Sequence, residues 1–429
     1  LAQQLSPQPR SVERTYPSEN EDPRYGMRMA PLPSAGSPEH FFRPGNEKLY
    51  EAYNELHSLA QDFHKPFDAP AILVVGHQTD GKSALVEALM GFQFNHVGGG
   101  TKTRRPITLH MKYNAACVEP NCYLVTEERE EIEVTLEGLQ DYIEGENRRL
   151  ENGVDKFWAK EIVIKIEYKY CPNLTIIDTP GLISAAPGKR HTPQQTSAKQ
   201  VEAIVKGKMM QQEYIILCLE DTSDWSNATT RKLVMQVDPE LRRTVVVSTK
   251  FDTRIPQFSR GADVESFLRP PARLLEPDIL GGVPFFTSVP AGRVGSSRDS
   301  TFASNDEFRE AVADQEAHDI AELERKVDRR LEIHERARVG ISQLRRFLEQ
   351  LLQRRYLENV PAIVPILEQE HRVASSKLRS TMLELSQLDN DRLKERGREF
   401  REAFIGKLQV LLRGTVAAPP DRFGETLAD

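Results

Sequence analysis

Cysteine is nearly missing from this chain: 429 residues hold four, Cys117, Cys122, Cys171 and Cys218. That is too few for a disulfide framework and fits a reducing compartment. Cys117 and Cys122 have no second pair and no histidine nearby, which argues against a metal site. An excess of positive charge is missing too. Lys and Arg total 57 against 64 Asp and Glu, a formal net charge of −7, so the basic stripe of a nucleic-acid binder is not expected. No apolar run approaches the roughly 18 residues needed to span a bilayer. Glycine fades after about residue 305, where Glu, Arg and Leu accumulate at helical spacing.

Hydrophobic residues make up 39% and charged residues 28%, with a mean hydropathy of −0.51. That balance fits a soluble chain of two or three structural units with a large solvated helical surface. The chain opens at Leu1 rather than Met and is expected to be a piece of a longer one. Residues 1–46 are rich in Pro, Ser, Arg and acids and lack periodicity, so a disordered lead-in is expected. Glu13, Glu19, Glu21 and Asp22 speak against a transit peptide. Leu49, Tyr53, Leu56 and Leu59 then predict an amphipathic helix at 47–63.

From 70 to about 335, strand-like and helix-like segments alternate. Strands are predicted at Ala71–Val75, Ile107–Tyr113, Glu161–Tyr170, Leu174–Asp178, Tyr214–Leu219, Thr244–Ser248 and Val283–Thr287. Helices are predicted at 192–210, 226–237 and 261–275. The pattern implies an α/β fold with a mainly parallel sheet and helices on both faces. Further on, Ile341, Leu344, Leu348, Leu351 and Leu352 form one apolar stripe, and Ile363, Ile366 and Leu367 begin another. Such stripes serve either a helical bundle or plain core packing. Pro361 and Pro365 are expected to kink or break the helix between them.

Residues 76–83, Gly-His-Gln-Thr-Asp-Gly-Lys-Ser, follow the first predicted strand and precede a predicted helix. This is the P-loop pattern in its required context. Backbone N–H groups from Gly76, His77, Asp80, Gly81 and Ala84 are expected to wrap phosphate, with Lys82 reaching the β- and γ-phosphates and the Ser83 hydroxyl on Mg²⁺. Thr249-Lys250-Phe251-Asp252 selects the base. A carboxylate at Asp252 can accept from guanine N1–H and its exocyclic amine, a pair that adenine does not offer, while the Lys250 stem lies along the ring. Asp178-Thr179-Pro180-Gly181 supplies Asp178 for the metal shell and the Gly181 N–H for the γ-phosphate. Between these lies a loop of three glycines, Gly98 to Gly100, ahead of Thr101-Lys102-Thr103-Arg104-Arg105. Thr103 is a candidate second hydroxyl on Mg²⁺, in a loop that orders with the γ-phosphate; a flexible linker with a solvated basic end is the plainer alternative.

Together these motifs resemble the dynamin superfamily of large GTPases, from residue 47 through the end of the chain. The stretch 78–100, Gln-Thr-Asp-Gly-Lys-Ser-Ala-Leu-Val-Glu-Ala-Leu-Met-Gly-Phe-Gln-Phe-Asn-His-Val-Gly-Gly-Gly, is similar to the plant and algal subclass that divides chloroplasts and also acts on peroxisomes. The resemblance implies that Gln78 orients the attacking water and that Thr103 helps hold it. It also implies a monovalent cation (K⁺ or Na⁺) held by Thr79, Gly98 and Gly100, and an Asp224 that crosses a dimer interface toward the partner's nucleotide. The chain departs from the family in several places. Thr79 stands where Ser is usual, Asp80 where a small residue is usual, and Val97 where a basic residue is usual. The segment Ser288 to Arg293 lacks the customary Asn-Arg pair beside the base, which leaves Ser288 and Val289 as the nucleotide-binding candidates on that side.

The implied organisation is a first neck helix at 47–64, a GTPase domain at 65–360, a second neck helix at 361–389 after a hinge at Pro361, and the start of a stalk at 390–429. The implied work is GTP hydrolysis on head-to-head dimerisation, with higher homo-oligomers through the stalks driving constriction and fission of organelle membranes. The implied setting is cytosolic, with peripheral recruitment by an outer-membrane receptor to the chloroplast envelope, and to peroxisomes, and with no nucleic acid. Two other readings fit less well. One is a GTP-gated scaffold with little turnover, which Asp80 and the altered base loop favour. The other is a monomeric regulatory GTPase, which would lack the long helical continuation.

Overall fold

The computed structural model describes residues 50, 52, 69–94, 103–126, 130–153, 156–183, 193–221, 225, 228–269, 280, 282–295, 301–387 and 390–413. They all belong to one unit, Pro44–Asp429. The expected lead-in at 1–46 and the candidate residues Gly98, Gly100 and Asp224 lie outside the described residues. Of the helix expected at 47–63, Tyr50 and Ala52 are described, and both are helical.

Among the described residues nine strands form one sheet: β1 Ile72–Val75, β2 Ile107–Tyr113, β3 Asn121–Val125, β4 Glu131–Val134, β5 Ile162–Tyr168, β6 Leu174–Asp178, β7 Ile215–Glu220, β8 Thr244–Ser248 and β9 Phe285–Phe286. Their order is β4-β3-β5-β2-β6-β1-β7-β8-β9. The run from β6 through β1, β7 and β8 to β9 is parallel. β2 joins β6 antiparallel, and β3 pairs antiparallel with both β4 and β5. The mainly parallel α/β expectation therefore holds, with a mixed extension on one side.

Alternation along the strands builds a core on each face. Ile72 and Val74 of β1, Leu217 and Leu219 of β7, and Val245 and Val247 of β8 face one cluster. Leu73, Val75, Ile216, Cys218 and Val246 face the other. This near-continuous apolar composition is what a strand covered on both faces requires. Helix α1 (Lys82–Met90) supplies Leu85 and Leu89 to the first cluster. On the second face, α3 (Pro193–Met209) supplies Val201 and Val205. Between them in sequence, α2 (Leu136–Glu151) follows β4, capped by the Thr135 hydroxyl, which accepts from the Gly138 N–H. After β7 come α4 (Thr229–Val234), α5 (Phe251–Arg254), α6 (Gly261–Leu268), α7 (Asn305–Val327) and α8 (Ile333–Arg336).

The expectation that Pro361 and Pro365 break the helix needs correction. The helix α9 runs without interruption from Ile341 to Gln387, through both Pro361 and Pro365, and α10 follows at Asn390–Leu412. Each proline removes one N–H, but both lie on the exposed side of α9, as does Leu357. The freed carbonyls can therefore bond to water, while Ile363 stays buried on the opposite side. The stripe from Ile341 to Leu352 is core packing: all five residues join the first cluster. At this level each buried Leu or Ile contributes roughly 1.5–3 kcal/mol. Tyr50 docks on the same helix, its ring 6.2 Å from that of Tyr356, with its hydroxyl 3.3 Å from Thr175 Oγ1.

Candidate nucleotide site

Strand register assembles the site. β1 lies between β6 and β7, and Val74 pairs with Asp178 while Val75 pairs with Cys218. The loop leaving β1 at Gly76 therefore meets the carboxyl ends of both neighbours, which is where an open α/β sheet binds ligands. A short parallel bridge continues the contact. The Leu182 N–H donates to the Gly76 carbonyl at 3.0 Å, and the Gln78 N–H donates to the Leu182 carbonyl at 2.9 Å.

Lys82 opens α1 and is buried, and its ammonium donates to the His77 carbonyl at 2.8 Å. Burial pulls its pKa down, against the pull of Asp178 and Asp80. Gly81 precedes it at φ 81°, a left-handed turn that suits glycine. The Ser83 hydroxyl donates to Asp178 Oδ2 at 3.0 Å. Burial pushes the Asp178 carboxyl up to about 6, with Lys82 and Ser83 opposing. Its Oδ1 is buried and accepts no hydrogen bond among the described residues. An orphaned carboxylate oxygen beside a serine hydroxyl suits a hard divalent cation, so Ser83 and Asp178 fit the Mg²⁺ that such a site would hold. Gly181 stands beside them: a Cβ there would meet Lys82 Nζ and the Gln78 backbone at 3.0 Å.

The base side forms one loop further along. Lys250 takes a left-handed φ of 52°, and its ammonium pairs with Asp221 at 2.5 Å. Arg254 pairs with the same carboxylate. The Asp252 N–H donates to Ser288 Oγ at 2.9 Å, and the Ser288 hydroxyl donates to Asp319. Ser288 therefore braces the Asp252 loop, and Val289 packs half-buried against the first core cluster. The Thr249 N–H donates to the Glu220 carbonyl at 3.0 Å, which ties this loop to the strand beside the P-loop. Asp221, Asp319 and Glu220 were not anticipated from sequence; isolated acids carry no periodic signal.

Thr103 is buried at the start of a firmly anchored segment. The plainer expectation for this region, a solvated basic end, is wrong. Arg105 pairs with Glu146 at 2.6 Å and donates to the carbonyls of Lys160 and Glu161, with its guanidinium 4.8 Å from the Trp158 ring. Arg104 pairs with Glu151 at 2.8 Å, and its N–H donates to Asn147 at 3.0 Å. Both arginines thus fasten the segment to α2.

A strand-loop-helix phosphate cradle, a metal carboxylate on the adjacent strand and a Thr-Lys-x-Asp base loop define the P-loop GTPase class of domain. Residues 72–251 match the model of the Dynamin family. The chain is 62% identical over 384 residues to Dynamin-like protein ARC5 of Arabidopsis thaliana, covering 89% of this chain and 49% of that one. It is 32% identical to Dynamin-related protein 5A of the same plant, covering 88% of this chain and 45% of that one. It is 28% identical to Dynamin-like protein C of Dictyostelium discoideum, with 89% and 45% covered. The chain belongs to the dynamin superfamily, and it spans about half the length of these relatives.

Proposed function

We propose that this protein hydrolyses GTP to GDP and phosphate, stimulated by head-to-head dimerisation, and uses the cycle to constrict organelle membranes, in the first place the chloroplast division ring. The observation that carries the chemical part is the meeting of Lys82, the Ser83–Asp178 pair, Gly181 and Gln78 at one end of the sheet. Water oriented by Gln78 and Thr103 attacks the γ-phosphorus, and the bond to the β,γ-bridging oxygen breaks to release GDP. Lys82 and the backbone N–H groups of Gly81 to Ala84 hold the phosphates. Mg²⁺ bound by Ser83, Thr103 and Asp178 would neutralise charge on the phosphate oxygens. Thr79, Gly98 and Gly100 are the groups that would hold a potassium or sodium ion, and Asp224 would reach toward the nucleotide of a second head.

The cellular part rests on the likeness at 78–100 and on the long helical continuation. Beyond Leu367, α9 and α10 expose apolar side chains such as Leu378, Met382, Leu385, Phe400, Phe404 and Leu408, as expected of stalk helices that pack against further chain. Among the described residues no helix is long and apolar enough to cross a membrane; recruitment through a receptor is part of the proposal. Pro361 remains the candidate hinge, with a missing N–H in a solvent-facing stretch of α9. Fluorescent-nucleotide titration tests the chemical reading. GTP should bind at least about tenfold tighter than ATP, and Lys82→Ala should abolish binding. Equal affinity for both nucleotides would contradict it. Tight GTP binding with no turnover would leave the scaffold reading.

A further inference from the structure

The residues of the P-loop that differ most from an ordinary phosphate cradle, Thr79 and Asp80, are mechanically linked. The four residues His77 to Asp80 close into a turn that is fastened twice at its base. The Asp80 N–H donates to the His77 carbonyl at 3.3 Å, and Asp80 Oδ2 accepts the His77 N–H at 2.7 Å. Lys82 grips that same carbonyl at 2.8 Å. Asp80 is buried at the base of the turn, Gln78 is half-buried and Thr79 is exposed at its tip. Thr79 is held at φ 73°, a left-handed conformation that a β-branched residue adopts only when its surroundings impose it. Gly76 leaves room for the arrangement: a Cβ there would already meet Asp80 Oδ2 at 3.3 Å.

We propose that Asp80 is a positioning residue, whose carboxylate clasps His77 and so holds Gln78 and Thr79 in the geometry that turnover requires. The proposal rests on the reading of Gln78 and Thr79 as turnover residues. It gives Asp80 a part in turnover, whereas its departure from a small residue favours a scaffold with little turnover. Asp80 turns into its own loop: its Oδ2 is engaged by the His77 N–H beside Gly76, and Lys82, Asp221 and Glu220 are near enough to act on its charge. The phosphate contacts expected of this loop are its backbone N–H groups, which Asp80→Ala keeps, together with Lys82 and Ser83 beyond the turn, so loss of the clasp should leave nucleotide affinity nearly intact while misplacing the tip. Displacements of about 1 Å at such a position can cost up to about a hundredfold in rate.

The test compares the wild-type chain, Asp80→Ala and Asp80→Asn for GDP affinity and for GTP turnover at saturation. An asparagine carbonyl can accept the same His77 N–H without charge. The clasp predicts that Asp80→Ala lowers kcat at least about tenfold while GDP affinity stays within about threefold, and that Asp80→Asn recovers at least about a third of wild-type kcat. Unchanged kcat in Asp80→Ala, or equal loss in both variants, overturns the proposal. So does a fall in affinity that accounts for the whole effect. Should Asp80→Ala fail to fold, Asp80→Asn still decides, because a role for the charge predicts loss where the clasp predicts retention. A wild-type chain that binds GDP but never hydrolyses GTP would instead overturn the underlying turnover reading, independently of the clasp.

Discussion

Gly181 lies so close to Gln78 that a Cβ added to the glycine would stand 3.0 Å from the Gln78 Cα. The same Cβ would stand 3.0 Å from Lys82 Nζ. Backbone on one side and a buried ammonium on the other leave no easy relief, so even a methyl group should push the two loops apart. We predict that Gly181→Ala lowers GTP turnover at least about tenfold without unfolding the chain. A steady-state assay alongside thermal denaturation checks this; wild-type turnover would show that the loops separate freely.

Arg105 combines a carboxylate, two carbonyls and the Trp158 ring. Lysine cannot reproduce that fork of donors. Arg105→Lys should cost ~2 kcal/mol and Arg105→Ala ~3 kcal/mol, because Glu146 would be left without one of its two arginine partners and two carbonyls without donors. Urea denaturation of each variant measures the cost, and a loss below about 0.5 kcal/mol would place this cluster with ordinary surface ion pairs.

Glu220 gives a pH dependence. Burial pushes its carboxyl from 4.5 up to about 7, although it accepts the Arg231 N–H. The folded state therefore binds this proton more tightly than the unfolded chain. The contribution is complete below about pH 4.5 and drains away as pH rises toward 7. Its size is at most ~3 kcal/mol. Glu220→Gln should flatten the decline in stability over that window, measured as melting temperature against pH. An unchanged slope would assign the dependence to other groups.

On the proposed reading base selection rests on Asp252, whose loop is braced by the Ser288–Asp319 pair. Asp252→Asn presents an N–H where guanine also offers one. GTP affinity should fall at least about tenfold, with ATP affinity unchanged. Nucleotide titration of the variant reads this directly, and retained GTP preference would move base recognition elsewhere.

The fold class and the residue set proposed for the site are legible in the sequence. The P-loop, Asp178 and the Asp252 loop announce themselves because phosphate, metal and guanine each demand fixed residue types at strand ends. The strands β2, β6 and β8 have the predicted bounds: β6 and β8 are buried throughout and largely apolar, and β2 alternates apolar with polar residues. The β3–β4 hairpin and α2 escaped notice. Glu131, Ile132 and Glu133 of the edge strand β4 are exposed, so it carries no apolar signature. Ser288–Asp319 and Asp80–His77 were invisible for another reason. Each depends on one polar contact whose partner is set by register or by a turn, neither of which composition records. Pro361 does not break α9, because the penalty for a helical proline depends on whether water can reach the freed carbonyl.

The proposed turnover mechanism is completed by a second head. GTP hydrolysis per molecule should be measured over a wide range of protein concentration, in potassium buffer and again in lithium. Specific activity that rises with concentration and falls in lithium is the predicted result. A flat, near-zero rate in both buffers, despite tight GTP binding, would contradict it.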